Sequence, residues 1–163
     1  MCNASSDKLV RPVCQYFTDT IVQHPYSDPE DGGEDGEGGR DFETVRAAHT
    51  LVKRMHRHCP KLLLSVIPQL QEEMSVDNVQ IRLLATQTLG DMFAHKQYGT
   101  ELMRDYRTTW VQWIARKNDK TPAVRLAFVE GARKLISNVD MRTDVDGESM
   151  HLFLPLYFTH DGV

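Results

Sequence analysis

The amino-acid sequence predicts an all-α fold, a HEAT-type solenoid of about three antiparallel helix pairs, and three observations predict it. Apolar residues recur at three- and four-residue steps in successive stripes separated by short polar turns. A segment occurs twice, as Ile81-Arg82-Leu83-Leu84-Ala85 and Val124-Arg125-Leu126-Ala127-Phe128, each opening a helix after an acidic turn, the arginines 43 positions apart. Within this region no stretch reads as a strand. A period in the forties with a helix pair between copies is the HEAT pattern. Such arrays hold other macromolecules on curved surfaces and rarely do chemistry.

The elements follow in order. Leu9, Val13, Phe17 and Ile21 step by four, Ser5, Ser6 and Asp7 offer N-caps, and His24-Pro25 stops the helix. Residues 27–40, with six acids (Asp28, Glu30, Asp31, Glu34, Asp35, Glu37) and many glycines, cannot bury apolar surface and read as a disordered loop. Val45, Ala48, Val52, Met55 and Cys59 then trace a helix, with Asp41 and Glu43 suiting its N-terminus and Pro60 ending it. Leu63, Val66, Ile67, Leu70 and Met74 form the next stripe, and Ser75 to Asn78 the turn. Ile81, Ala85, Leu89 and Met92 run along a longer helix that ends near His95. After a linker containing Gly99, one helix carries Leu102, Tyr106, Trp110, Trp113 and Ile114 and breaks at Asn118-Asp119. The last helix holds Val124, Phe128, Ala132, Leu135 and Ile136. The solenoid segment is therefore residues 1–138. Residues 139–163 read as an irregular tail, with Pro155 inside the apolar run Leu152 to Phe158.

Superposing Arg82 on Arg125 tests the repeat. Ile81 falls on Val124, Ala85 on Phe128, Leu89 on Ala132, Met92 on Leu135 and Phe93 on Ile136. These matches at helical spacing describe an inner helix that buries surface against its partner and both neighbours. The Asp119 to Arg125 spacing resembles the HEAT turn, in which an acid caps the inner helix and the arginine reaches a neighbouring repeat. In the middle pair the acid is Asp77, displaced by one position. Pro68 stands inside the middle outer helix, where an interior proline costs about 3 kcal/mol; its counterpart in the last pair is Val111. In the first pair Val45-Arg46-Ala47-Ala48 echoes the motif, with later positions slipped by one.

Composition narrows the function. The chain has 163 residues and a net charge of −4, but without the six loop acids 19 basic residues face 17 acidic ones. No general nucleic-acid surface follows from that balance, although a local one is compatible with it. No apolar run approaches the roughly 18 residues that cross a bilayer, so no membrane partner is expected, and the start does not read as a secretory signal. Cys2, Cys14 and Cys59 are an odd set without framework spacing, which favours a reducing compartment.

Candidate sites resolve mostly to structure. His56, His58 and Cys59 are metal-ligand types, but neighbouring helical positions diverge by about 100° and no second ligand pair stands at a recognisable interval. Lys53, Arg54, His56, Arg57 and His58 suit the negative end of a helix as solvated cations. The same cluster could contact phosphate or an acidic peptide. Tyr106, Trp110 and Trp113 fit a buried stripe better than an aromatic recognition surface. Gly131 reads as a helix-packing residue. Asp91, Glu101 and Asp105 read as solvent-facing charges rather than an acid/base pair, and no nucleophile elbow or phosphate-cradling loop is present. No catalytic residue, cofactor or metal is expected, and no residue is assigned to partner binding.

Longer runs carry a resemblance. Lys61-Leu62-Leu63-Leu64-Ser65-Val66-Ile67-Pro68-Gln69-Leu70-Gln71-Glu72-Glu73, Arg82 to Phe93, Trp113-Ile114-Ala115-Arg116-Lys117-Asn118-Asp119-Lys120-Thr121-Pro122-Ala123-Val124-Arg125-Leu126 and the opening Val13 to Asp19 resemble the "precocious dissociation of sisters" family of sister chromatid cohesion proteins, in a fungal version. Agreement at polar positions such as Gln69, Gln87 and Asn118-Asp119 is more specific than generic HEAT patterning. The resemblance covers roughly residues 1 to 137 and fails after about Asn138. It implies a nuclear, non-catalytic HEAT scaffold that binds the kleisin subunit of cohesin. By the same resemblance it works with the cohesin release factor and acetyltransferase to control whether cohesin stays on chromatin. Family members are much longer, so a fragment or truncated gene model is expected, its tail not native family sequence. The competing readings are a HEAT scaffold of nuclear transport or condensin-like assemblies and, last, a zinc-dependent hydrolase.

Overall fold

The computed structural model describes residues 38–59 and 63–138, together with 8, 11–13, 15–17 and 19 near the start. Among the described residues there are helices and turns and no strand. The main helices are α1 (Gly38–His58), α2 (Ile67–Glu73), α3 (Val79–Phe93), α4 (Gly99–Asp105), α5 (Arg107–Ala115) and α6 (Pro122–Asn138), with a 3-10 turn at Arg116–Asn118. The helix–turn–helix pairs make this an all-α fold of the HEAT solenoid type. The chain divides into two compact units, Met1–Thr88 and Leu89–Val163, with the boundary inside α3.

In the first unit the described residues between 8 and 19 are helical, and Phe17 is fully buried. The helix of α1 begins at Gly38, three residues inside the stretch expected to be loop through residue 40. First-turn N–H groups have no intrahelical acceptor in any case, so glycine is tolerated there. The remainder of the acidic loop, 27–37, and the tail at 139–163 lie outside the described residues. Leu63, Val66, Ile67, Leu70 and Met74 are all buried, as their spacing requires.

Pro68 does not interrupt a helix. Leu63 to Val66 form a tighter turn, and the α-helix proper starts at Ile67 with the proline in its first two positions, where its missing N–H costs nothing. In the second unit the expected continuous helix over Leu102–Ile114 is likewise two helices, α4 and α5, separated at Tyr106 with φ −114° and ψ 52°. Tyr106 lies between Asp105 and Arg107, so this break has neither proline nor glycine beside it.

The core of the second unit is aromatic. Trp110 and Trp113 are fully buried and stacked with centroids 5.3 Å apart, Phe93 meets Trp110 edge-on at 5.1 Å, and Phe128 closes on Trp113 at 4.7 Å. Gly131 packs here as its position in the stripe implies: a Cβ on it would lie 2.8 Å from the Trp113 ring and 3.3 Å from the Gly90 Cα. Gly99 is not a linker residue but the first residue of α4, and a Cβ there would collide with the Phe93 carbonyl at 2.1 Å. Ile136, expected in the buried stripe of α6, is 51% exposed, while Val124, Phe128 and Leu135 are buried. Lys134 Nζ to Asp91 at 2.6 Å and Asn138 Nδ2 to the Ala94 carbonyl at 3.1 Å tie α6 to the end of α3.

The repeated arginines do the same thing twice. Arg82 Nη1 donates to the carbonyls of Val76 and Asp77 at 2.8 and 2.7 Å. Arg125 Nη1 donates to those of Asp119 and Lys120 at 2.8 and 3.3 Å. Each guanidinium thus clamps the turn that precedes its own helix. The HEAT-like spacing of Asp119 and Arg125 predicts a reach to a neighbouring repeat; the acceptors of Arg125 are instead five and six residues back. The cap differs from expectation too. In the middle pair Asn78, not Asp77, accepts from the backbone N–H of Gln80 and Ile81 at 2.9 and 3.1 Å, the geometry of an N-cap. In the last pair the Asp119 carboxylate takes the Thr121 N–H at 2.9 Å and the Arg116 guanidinium at 3.1 Å, folding the turn rather than capping the helix directly.

Candidate binding surface

From Thr44 to Gln71 the chain has five Lys or Arg residues and no Asp or Glu. Most of that cationic stretch is α1, and helical periodicity sorts it into two faces. Val45, Ala48, His49, Val52 and His56 are buried, while Arg46, Ala47, Thr50, Leu51, Arg54, Arg57 and His58 are exposed. The exposed residues recur at three- and four-residue steps and so share one side of the helix. Arg46 makes a solvent-exposed contact with Glu43 at 3.4 Å, and the Thr50 hydroxyl donates to the Arg46 carbonyl at 2.9 Å. Arg54 and Arg57 have no ion-pair or hydrogen-bond partner among the described residues. Between the arginines lies a shallow groove of about 280 Å³ lined by Glu43, Arg46, Ala47, Thr50, Leu51 and Arg54.

The predicted cationic cluster is therefore split. Lys53 is half-buried, Arg54, Arg57 and His58 are exposed, but His56 is 3% exposed and belongs to the core rather than to the solvated helix end. It falls seven residues after His49, two helical turns along the same buried face. That separation also divides the possible ligand set, with His56 inside, His58 outside and Cys59 half-buried. Among the described residues no three His, Cys, Asp or Glu side chains gather as a metal site would require.

Behind the cationic face sits a polar cluster that the spacing of apolar residues does not signal. His49 Nδ1 lies 2.9 Å from the Thr88 hydroxyl, and its Nε2 lies 3.1 Å from Glu73 Oε2, with His49 and Glu73 side chains only 1% and 8% exposed. The Nε2–Oε2 approach is close in distance but poorly aligned as a hydrogen bond. Three helices, α1, α2 and α3, each contribute one member. The one available clue in the sequence is a polar residue at His49 beside the apolar Ala48 on the inner face of the stripe.

The other candidates fall where packing puts them. Trp110 and Trp113 are core and Tyr106 is half-buried, so they offer no exposed aromatic platform. Glu101 and Asp105 are exposed, Asp105 contacting Arg104 at 3.4 Å, and Asp91 is committed to Lys134. No helix among the described residues is long and apolar enough to cross a membrane.

What this helical array belongs to is decided by comparison with known proteins. The family model of the sister chromatid cohesion protein PDS5 matches residues 1–151. The chain belongs to the PDS5 family. The match runs past the region around Asn138 at which the resemblance of the individual motifs fades. Among curated relatives, the pds5 protein of Schizosaccharomyces pombe is 32% identical over 134 residues, covering 82% of this chain and 10% of its own length. The PDS5 protein of Saccharomyces cerevisiae is 24% identical over 148 residues, covering 91% of this chain and 11% of its own length. The chain thus spans about a tenth of the length of these relatives. A solved chain from a study of the Pds5–Scc1 complex and cohesin function superposes with a TM-score of 0.68 over 98% of this chain and 22% of that one. At 22% identity, that likeness shows the shared helical-repeat fold.

Proposed function

We propose that this segment is part of a non-catalytic scaffold that binds cohesin through its kleisin subunit and regulates how cohesin is held on chromatin in sister chromatid cohesion. The observation that carries the reading is the family match over residues 1–151. The helical-repeat architecture supports it, because stacked helix pairs offer extended surface to a macromolecule rather than an enclosed pocket for a substrate. The similar solved chain comes from a Pds5–Scc1 complex, which supports the kleisin as the partner. Cooperation with the cohesin release factor and the acetyltransferase, contact with chromatin through cohesin, and residence in the nucleus follow from the family role.

The test is capture on immobilised cohesin kleisin, with the 163-residue chain and a full-length family protein carrying it run in parallel. Retention of both supports the reading. Failure of the full-length protein to be retained sinks it, whereas retention of that protein alone assigns the kleisin contact to another part of the array.

A further inference from the structure

The exposed face of α1 combines two properties. It is cationic, with Glu43 compensating Arg46 alone, since no further acid follows until Glu72. It also has an apolar saddle, Ala47 and the 38% exposed Leu51, between Arg46 and Arg54. Arg46 and Arg54 are eight residues apart, which is about 12 Å along a helix rising 1.5 Å per residue. Arg57 extends the same side by one further turn.

We propose that this strip docks an extended acidic peptide segment of a partner protein, with an apolar side chain between two carboxylates. The spacing sets the pattern. An extended chain rises about 3.3 Å per residue and points every second side chain the same way. Residues i, i+2 and i+4 therefore face one surface and span about 13 Å. An acid at i meets Arg46, an apolar residue at i+2 rests on Ala47 and Leu51, and an acid at i+4 meets Arg54. Thr50 does not compete for the ligand, because its hydroxyl is already donating to the Arg46 carbonyl.

The alternative occupant, a nucleic-acid backbone, fits less well. Its affinity comes from many phosphate contacts and the counterions they release. Here only three arginines share the face, and an apolar patch interrupts them. The inference goes beyond the cohesin reading and stands without it, since it rests only on the geometry of α1.

The experiment is fluorescence polarisation of the full chain with a labelled peptide, Gly-Ser-Glu-Ser-Leu-Ser-Glu-Ser-Gly. Three comparison probes are a peptide of the same composition with both acids adjacent, one with the leucine replaced by glutamine, and a labelled twelve-base-pair DNA duplex. The patterned peptide is expected to bind more tightly than all three. Arg54→Glu is expected to weaken it about tenfold, in line with reversal of a contacting charge, and Arg54→Gln and Leu51→Ser to weaken it by less. Arg104→Glu, at an exposed cation elsewhere, should leave it unchanged, and circular dichroism checks that each variant is folded. Equal binding of the rearranged peptide, tighter binding of the duplex, or an Arg54→Gln affinity equal to that of the parent overturns the proposal.

Discussion

Replacing Arg125 by alanine tests the turn clamp. Its Nη1 donates to the Asp119 carbonyl at 2.8 Å and, at 3.3 Å, to that of Lys120. Lys120 is exposed, so water can replace the second bond, but Asp119 is 8% exposed and its carbonyl partner is harder to replace. A hydrogen bond to a charged group contributes about 1.5–3 kcal/mol net. Arg125→Ala should therefore cost about 2 kcal/mol, or about 4–8 °C in a chain of this size. Arg104→Ala is the control: its guanidinium contacts the adjacent Asp105 at 3.4 Å with the two side chains 65% and 59% exposed, and such surface pairs contribute little. Thermal unfolding followed by circular dichroism at low and at 1 M salt measures both. Because the acceptors are neutral carbonyls at short range, the Arg125 effect should persist at high salt, where exposed ion pairs are screened. Equal melting temperatures for the two variants, or an Arg125 effect that vanishes in salt, would refute the clamp.

Three further outcomes are expected. Either His49→Leu or Glu73→Leu alone should destabilise by about 1–3 kcal/mol by stranding its buried polar partner, and the double variant should recover part of the loss; urea titration of the four proteins gives the coupling, and simple additivity would dismiss the pair. Gly99→Ala should unfold or rearrange the start of α4, since its Cβ would meet the Phe93 carbonyl at 2.1 Å, whereas Gly90→Ala, with its closest contact at 3.2 Å, should be milder; equal melts would contradict that order. Burial first, and the charge of Asp105 second, raise the Tyr106 phenol above its ordinary 10.0. The folded state then holds that proton more tightly, so the stabilisation is complete below pH 10.0 and is lost as pH rises through the folded value. Tyr106→Phe should flatten the alkaline fall in melting temperature, and an unchanged fall would place its origin elsewhere.

Much of the array is legible in local sequence because helical periodicity is a local property. The stripe from Leu63 to Met74, the inner-helix positions Ala85, Leu89 and Met92, and the burial of Trp110 and Trp113 all follow from three- and four-residue steps. The acid-free run from Thr44 to Gln71 is visible without coordinates as well. What it leaves open is which cations face outward: His56 sits among basic residues by composition and in the core by position. The His49, Glu73 and Thr88 cluster is less accessible still, because each member belongs to a different helix and none stands out within its own segment.

The sequence by itself determines that this protein is a helical repeat array of the PDS5 family, since both the period of 43 and the family-specific polar positions are written in the order of residues. The tertiary structure decides the joints. It turns Pro68 into a helix start, breaks the outer helix at Tyr106 without a proline or glycine, and sends Arg125 back to its own turn. The physical reason is that periodicity fixes which face of a helix is apolar, whereas breaks and polar partners depend on which carbonyls and side chains packing brings within about 3 Å.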